Sequence, residues 1–118
     1  MRTMQVVNKT TGEILAERAE LAETFVARFL GLQGRAGLPD GAGLVLAPTS
    51  SIHMFFMRFP IDAIFIDEAQ RVMRIGRRLR PWTIGPLAPG AICCIELPAG
   101  RANATQPGHV IELLASQG

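Results

Sequence analysis

Two carboxylates stand inside otherwise apolar strands of the sequence. Asp62 lies in the apolar run Ile61–Asp67, and Glu96 lies in Ala91–Leu97. Alternate side chains of a strand share a face, so each carboxylate points the same way as apolar neighbours and should be buried. An unpaired buried charge is costly, so we expect both groups to be hydrogen-bonded or paired with a cation.

The nearest candidate partners of Asp62 are His53 and Arg58, in the segment that leads into its strand. If these groups and Glu96 converge at one end of a small sheet, they form a ligand pocket, and Met57 is a further candidate for its lining. The same cluster also fits a buried ion-pair network that fixes loops to the sheet. A third interpretation is acid/base catalysis by Asp62 and Glu96, with His53 or Arg58 assisting.

The cysteines and histidines give weak signals for chemistry. Cys93 and Cys94 are adjacent, so they point to opposite faces of a strand and do not form a disulfide with each other. We expect them to be reduced and buried, which fits a reducing compartment. Zinc ligation by these cysteines with His53 and His109 lacks the usual ligand spacing, and a Cys94 nucleophile with His53 as its base lacks an acidic orienting group. We expect no metal and no cofactor.

Five arginines lie between Arg71 and Arg80, and strand alternation predicts that Arg74, Arg78 and Arg80 share one face. Such a stripe can hold phosphate. However, no lysine, stacking aromatic residue or nucleic-acid motif accompanies it. A solvated strand face is therefore the better interpretation, and we expect no specific binding of nucleic acid.

The composition predicts one compact domain over residues 1–118. The chain is 48% hydrophobic and 19% charged, with a net charge of +2 that requires neither a nucleic acid nor a lipid partner. The longest charge-free stretch, Gly41–Met57, contains several polar residues, so no membrane span is expected. The first eleven residues lack the apolar run of a secretory signal, and we expect a cytoplasmic protein.

Hydrophobic periodicity predicts an α+β fold. Apolar residues at three- and four-residue steps indicate one main amphipathic helix over Leu21–Leu30, which ends near Gly31. Pro81–Gly90 is interpreted as a loop. Six or seven short strands, the first two in an N-terminal hairpin, predict a strongly curved, barrel-like, mainly antiparallel sheet with the helix packed against it. Those predicted beyond the hairpin are Leu44–Ala47, Ile61–Asp67, Arg71–Leu79, Ala91–Leu97 and His109–Leu114.

Several blocks recur in a characteristic order: Gly31-Leu32, Leu38-Pro39, Gly43-Leu44-Val45, Phe56-Met57, Pro60 to Asp67 and Ile95 to Gly100. Their order and spacing resemble the signature of the domain-of-unknown-function family 192, DUF192, over about residues 21–114. The resemblance implies a small single-domain protein of bacterial or archaeal origin, here expected to be bacterial, with a mostly β fold and no established activity. Family-typical positions that carry over are Gly31, Leu32, Gly43, Met57, Asp62, Glu96 and Gly100.

The chain also departs from the family pattern. Phe56 stands where Trp is common, Gln33 replaces a usual Met, and His109 follows Gly108 where an Asp is expected. The stretch from Met57 to Asp62 is a few residues shorter than usual, which alters the lip of any pocket. Many relatives of the family carry a secretion signal.

These observations favour a non-enzymatic binding or accessory module. Its small polar site is expected near Asp62 and Glu96, with His53, Met57 and Arg58 as the other candidate ligand-binding residues. The expected partner is a small anionic or polar ligand, or a protein. The alternative is a hydrolase-like enzyme that uses the two carboxylates as its acid/base pair.

Overall fold

The computed structural model describes residues 2–54 and 56–115, without the side chains of residues 25 and 29. Within these residues lie nine strands and one short helix. Their bounds are β1 Thr3–Asn8, β2 Glu13–Ala22, α1 Phe25–Leu30, β3 Ala42–Leu46, β4 Ser51–His53, β5 Ile61–Ile66, β6 Val72–Leu79, β7 Ile84–Leu87, β8 Cys93–Pro98 and β9 Ile111–Ala115.

Seven strands form one sheet in the order β6-β5-β8-β3-β2-β1-β9, antiparallel throughout except for the parallel pair β2 and β3. Its two outermost strands meet at one end. There Val72 N–H donates to His109 O at 2.8 Å, and Ile111 N–H donates to Gln70 O at 2.8 Å. The sheet thus curls into a half-barrel, which confirms the curved, mainly antiparallel sheet expected from the sequence. β4 and β7 form a separate two-stranded sheet.

The sheet separates two apolar clusters. The inner cluster takes side chains from all seven strands and fills the curl. The outer cluster lies on the opposite face of β3, β5 and β8, where Leu32, Met54, Met57 and Ala88 cover it. All six residues of β5 are buried, which confirms the expectation of a strand covered on both faces.

The helix differs from its prediction. α1 has six residues; Thr24 caps its start and Gly31, with a φ of +49°, ends it. Leu21 and Ala22 instead extend β2, whose backbone pairs there with β3. The prediction of one main helix over Leu21–Leu30 is therefore wrong, because sheet pairing takes the residues that would have formed the first helical turn. No helix of the described ranges has the length and apolar character needed to cross a membrane.

Two of the strands, β4 and β7, were not predicted from the sequence. β4 has three residues, and β7 has four and lies inside the segment interpreted as a loop. β7 contains Gly85 and Pro86, which are residue types that are rare in strands. β4 nevertheless lines a cavity on the outer face, and β7 pairs with it.

Candidate functional site

Glu96 lies in β8, with Leu44 of β3 and Ala63 of β5 beside it in register. Both neighbours belong to the outer cluster, so the carboxyl leaves the sheet on its outer face. The residue is only 5% exposed. Its Oε1 is buried without a hydrogen-bond partner among the described residues. A Cβ added at Gly31 would stand 3.8 Å from this oxygen, so the backbone of Gly31 lies beside it. Buried carboxyl oxygens normally have a donor, so this one identifies an incomplete polar site.

A cavity of about 320 Å³ opens beside the Glu96 carboxyl. This volume lies at the lower end of the range for small-molecule sites. The wall combines apolar side chains with polar ones that can orient a ligand. The described residues that line the cavity are Arg28, Leu30, Gly31, Leu32, Gln33, Leu46, Thr49, Ser51, Ile52, His53, Met57 and Glu96.

The protonation state of Glu96 follows from its surroundings. Burial raises the pKa of its carboxyl to about 8, against an opposing effect of the Arg35 guanidinium. Arg35 is itself paired with Glu20 at 2.8 Å, so its charge is largely compensated. At neutral pH the carboxyl is therefore mostly protonated, and it can both donate and accept a hydrogen bond.

Two other predicted site residues reach the same cavity. His53 is half-buried on β4, where it pairs with Ile84 of β7. Met57 is buried in the outer cluster and contributes to the apolar part of the wall. Arg28, from α1, lines the cavity while its Nη1 donates to the backbone carbonyls of Glu23 and Ala47. The structure thus brings His53 and Met57 together with Glu96.

Asp62 lies on the other side of the sheet. It is fully buried and pairs in register with Leu97, a member of the inner cluster. Its Oδ1 accepts the N–H of Arg78 at 2.8 Å, and its Oδ2 accepts those of Gly100 at 3.0 Å and Ala102 at 2.9 Å. The carboxylate therefore ties β6 to the turn that follows β8, a structural role in which both oxygens are engaged.

The predicted convergence of the two carboxylates with Arg58 is consequently corrected. Arg58 is exposed, and neither it nor Asp62 is among the described residues that line the cavity. Burial of both carboxylates is confirmed, and so is the hydrogen bonding of Asp62, whereas Oε1 of Glu96 lacks the expected partner. Because the two side chains leave opposite faces, they do not form the acid/base pair of the hydrolase interpretation.

Several lining residues were not identified as site residues from the sequence. Gly31 was among the family-typical positions, and this signal could have placed it at the site. Thr49 and Ser51 lie in a short polar stretch without periodicity. Arg28 and Gln33 reach the cavity because α1 ends at Gly31, which lies beside the Glu96 carboxyl of β8. No local pattern marks these residues.

The arginine stripe is broken by a bulge. Between the β5 positions Ile61 and Ala63 the register with β6 shifts, and Arg78 adopts a positive φ of 49°. Arg74 donates from Nη1 to Leu87 O at 2.9 Å, and Arg77 donates from Nη2 to Thr105 O at 2.6 Å. The even alternation predicted for Arg74, Arg78 and Arg80 is therefore lost at the bulge. The guanidinium of Arg74 contacts the end of β7, and that of Arg77 contacts the segment between β8 and β9.

The cysteines occupy opposite faces as expected. Cys93 belongs to the inner cluster and Cys94 to the outer one, and both are free and buried. His109 is remote from His53: its Nδ1 lies 3.1 Å from Nδ2 of the buried Asn8 and accepts the N–H of Gln106 at 3.2 Å. Across residues 2–54 and 56–115, no three His, Cys, Asp or Glu side chains are grouped to hold a metal ion.

The chain matches a known family model over most of its length. The model of DUF192, described as "Uncharacterized ACR", matches residues 6–113. The chain belongs to the DUF192 family. A UPF0127 protein from Thermococcus sibiricus is 36% identical over 99 residues, which cover 80% of this chain. The chain spans 64% of the length of that relative.

Solved structures share the fold of this DUF192 protein. The crystal structure of a protein of unknown function from Novosphingobium aromaticivorans DSM 12444 matches with a TM-score of 0.81 and 26% identity, over 93% of this chain and 83% of that one. A protein from Sinorhizobium meliloti 1021, whose description proposes a role in transcription regulation, matches with a TM-score of 0.76 over 95% of this chain and 92% of its own. At 21% identity it shows the fold alone. With an archaeal relative beside these bacterial ones, the expected bacterial origin is not supported.

Proposed function

We propose that this DUF192 protein is a non-enzymatic binding module whose small polar site is the cavity beside Glu96. One observation carries the proposal: a buried carboxyl with an unpartnered oxygen lines an open cavity of about 320 Å³. Leaving a buried polar atom unsatisfied costs about 1–3 kcal/mol. A polar group supplied by a ligand would offset this cost, which favours binding in the cavity.

The two free, buried thiols fit a reducing compartment and support the cytoplasmic location expected from the sequence.

The hydrolase alternative receives no such support. Asp62 faces the inner cluster and its oxygens accept three backbone N–H groups, so only one of the two carboxylates reaches the cavity. His53 and Met57 remain in the proposed site, and Arg58 and Asp62 are removed from it.

Amide chemical shifts test the proposal with three small probes: acetate, acetamide and n-butylammonium. We expect at least one probe to shift the backbone amide signals of Gly31, Gln33 and Glu96 in a saturable way. Ser51 lines the cavity and is exposed, so Ser51→Phe should block its mouth. The neighbouring Ser50 is also exposed but does not line it, which makes Ser50→Phe the matched control.

Saturable shifts that Ser51→Phe abolishes and Ser50→Phe preserves would support the proposal. If none of the three probes shifts these amides, or if Ser51→Phe leaves the shifts unchanged, the cavity is not a binding site for small polar groups and the proposal fails.

A further inference from the structure

We infer that the group recognised by the cavity is a primary ammonium on an alkyl stem, which binds the Glu96 carboxylate as the carboxyl proton leaves to solvent. The inference deepens the proposed function and rests on it. In the step that binds the ligand, the O–H bond of Glu96 breaks and its proton goes to water. An ammonium N–H then donates to the carboxylate, and no other bond is made or broken.

The position of the carboxyl selects the kind of donor. Oε1 is buried beside the backbone of Gly31, where an added Cβ would stand 3.8 Å from it, so the approach to this oxygen from the cavity is narrow. A guanidinium recognises a carboxylate best through two parallel hydrogen bonds to both oxygens. An ammonium is a compact charge with three rotatable donors and needs only one accessible point of contact. The geometry therefore favours an ammonium over a guanidinium.

The wall of the cavity fits an alkyl stem. Leu32, Leu46 and Met57 are buried and line the same space as Glu96. Ile52 adds a fourth, half-buried apolar side chain. An amine with several methylene groups can pack its stem on these side chains while its charged end reaches the carboxyl. A purely polar ligand would leave this part of the wall without contact.

The cations that already lie near Glu96 are engaged elsewhere. Arg35, from the α1–β3 loop, is paired with Glu20 of β2. Arg28, from α1, donates to the backbone carbonyls of Glu23 and Ala47. Neither guanidinium therefore takes the place of the missing partner.

Two titratable groups complete the surroundings of the carboxyl. His53 of β4 lines the same cavity. Cys94 shares the outer face of β8 with Glu96, and burial, together with the charge of Glu96, raises the pKa of its thiol well above its ordinary value. Cys94 thus remains an uncharged thiol over the pH range of the test.

Proton release makes the binding depend on pH in a characteristic way. Because burial raises the pKa of Glu96 to about 8, an ammonium must displace a proton at lower pH. Its affinity should rise about tenfold per pH unit up to about pH 8 and level off above it. A neutral amide that accepts a hydrogen bond from the protonated carboxyl should instead lose affinity above about pH 8.

The experiment compares n-butylammonium with the neutral butyramide by titration calorimetry from about pH 6 to about pH 9. We expect the affinity for n-butylammonium to rise about tenfold per pH unit up to about pH 8, and Glu96→Gln to remove this pH dependence and to weaken binding at least tenfold at about pH 9. Glu68→Gln changes an exposed carboxyl away from the cavity and should leave both unchanged. Amide spectra of each variant establish that it is folded.

A second arm distinguishes a free amine from a lysine side chain of a peptide. The peptide acetyl-Leu-Lys-Leu-amide carries the same alkylammonium between apolar flanks. Binding at least tenfold tighter than that of n-butylammonium assigns the ammonium to a lysine side chain, and any smaller gain, equal binding or weaker binding assigns it to a free amine. Either result supports the recognition of an ammonium.

The inference and the proposed function fail in different ways. If acetamide or butyramide binds in a manner blocked by Ser51→Phe while n-butylammonium does not, the inference is overturned and the binding site stands. Affinity for n-butylammonium that is independent of pH, or unaffected by Glu96→Gln, also overturns the inference. If no small probe binds, the proposed function itself fails.

Discussion

Asp62 and Glu96 lie one register position apart on the neighbouring strands β5 and β8, yet their side chains leave opposite faces of the sheet. Ala63 is the residue opposite Glu96, and Leu97 is the residue opposite Asp62. The inner carboxylate is saturated with hydrogen bonds, whereas the outer one retains an unpartnered oxygen. Asp62 thus stabilises the fold on one face of the sheet, and Glu96 lines the candidate site on the other.

Replacing Asp62 with Asn should destabilise the fold. The amide offers one acceptor oxygen and turns an NH₂ group toward buried N–H donors. We expect the free energy of unfolding to fall by roughly 3 kcal/mol, because buried donors lose their acceptor. Urea denaturation measures this loss. Asp40→Asn, at an exposed position, is the control and should change stability little. Equal stability of the two variants would contradict the structural role of Asp62.

Glu96→Gln should change how stability depends on pH. Burial raises the pKa of Glu96 from 4.5 to about 8, so between these values the folded protein holds a proton that the unfolded chain has released. The free energy of unfolding of the unsubstituted protein therefore falls as pH rises through this window, by up to about 1.4 kcal/mol per unit.

The Glu96→Gln variant has no such proton and should lack this contribution. Denaturation at several pH values measures the difference between the two proteins, which should grow with pH and become constant above about pH 8. Glu68→Gln should follow the unsubstituted protein. Parallel pH profiles of the Glu96→Gln variant and the unsubstituted protein would show that Glu96 titrates normally.

The features that depend only on the alternation of side chains along one strand were predicted from the sequence. Apolar residues on both alternations of β5 identified a doubly buried strand, and the positions of Asp62 and Glu96 within their strands predicted their burial. Alternation cannot fix the register between two strands, however, and register decides which faces their side chains share. The pairing of Ala63 with Glu96 therefore separated the carboxylates without any local signal.

The extent of the helix and the composition of the cavity wall also depend on contacts that a local sequence pattern does not show. Leu21 satisfies a helical period as well as a strand, and its pairing with Val45, more than twenty residues away in the chain, determines the outcome. Thr49 and Ser51 reach the cavity through the path of a loop and through the pairing of β4 with β7. Interactions between distant segments decide these features, so composition and periodicity did not predict them.

Both cysteines should react slowly with thiol reagents in the folded protein. Burial raises the pKa of Cys93 to about 12 and that of Cys94 well above its ordinary value, so little thiolate is present at neutral pH. Absorbance of a released thiol chromophore follows the labelling, which should become fast only on denaturation. Rapid labelling of Cys94 in the native state would revive its interpretation as a nucleophile.

The arginines of β6 should not give sequence-selective binding of nucleic acid. Arg74 and Arg77 donate to backbone carbonyls, and contacts with phosphate alone carry no sequence information. Fluorescence titration with labelled DNA and RNA of several sequences at physiological salt checks this. We expect weak, salt-sensitive binding at most, whereas submicromolar binding that differs among sequences would refute it.

The carbon-13 chemical shift of the Glu96 carboxyl, followed with pH, tests the central claim most directly. Glu96→Gln assigns the signal by removing it. We expect a titration midpoint of about 8 in the free protein and a lower midpoint when n-butylammonium is present. A midpoint near the ordinary value of 4.5 in the free protein, or one that n-butylammonium leaves unchanged, would contradict the account.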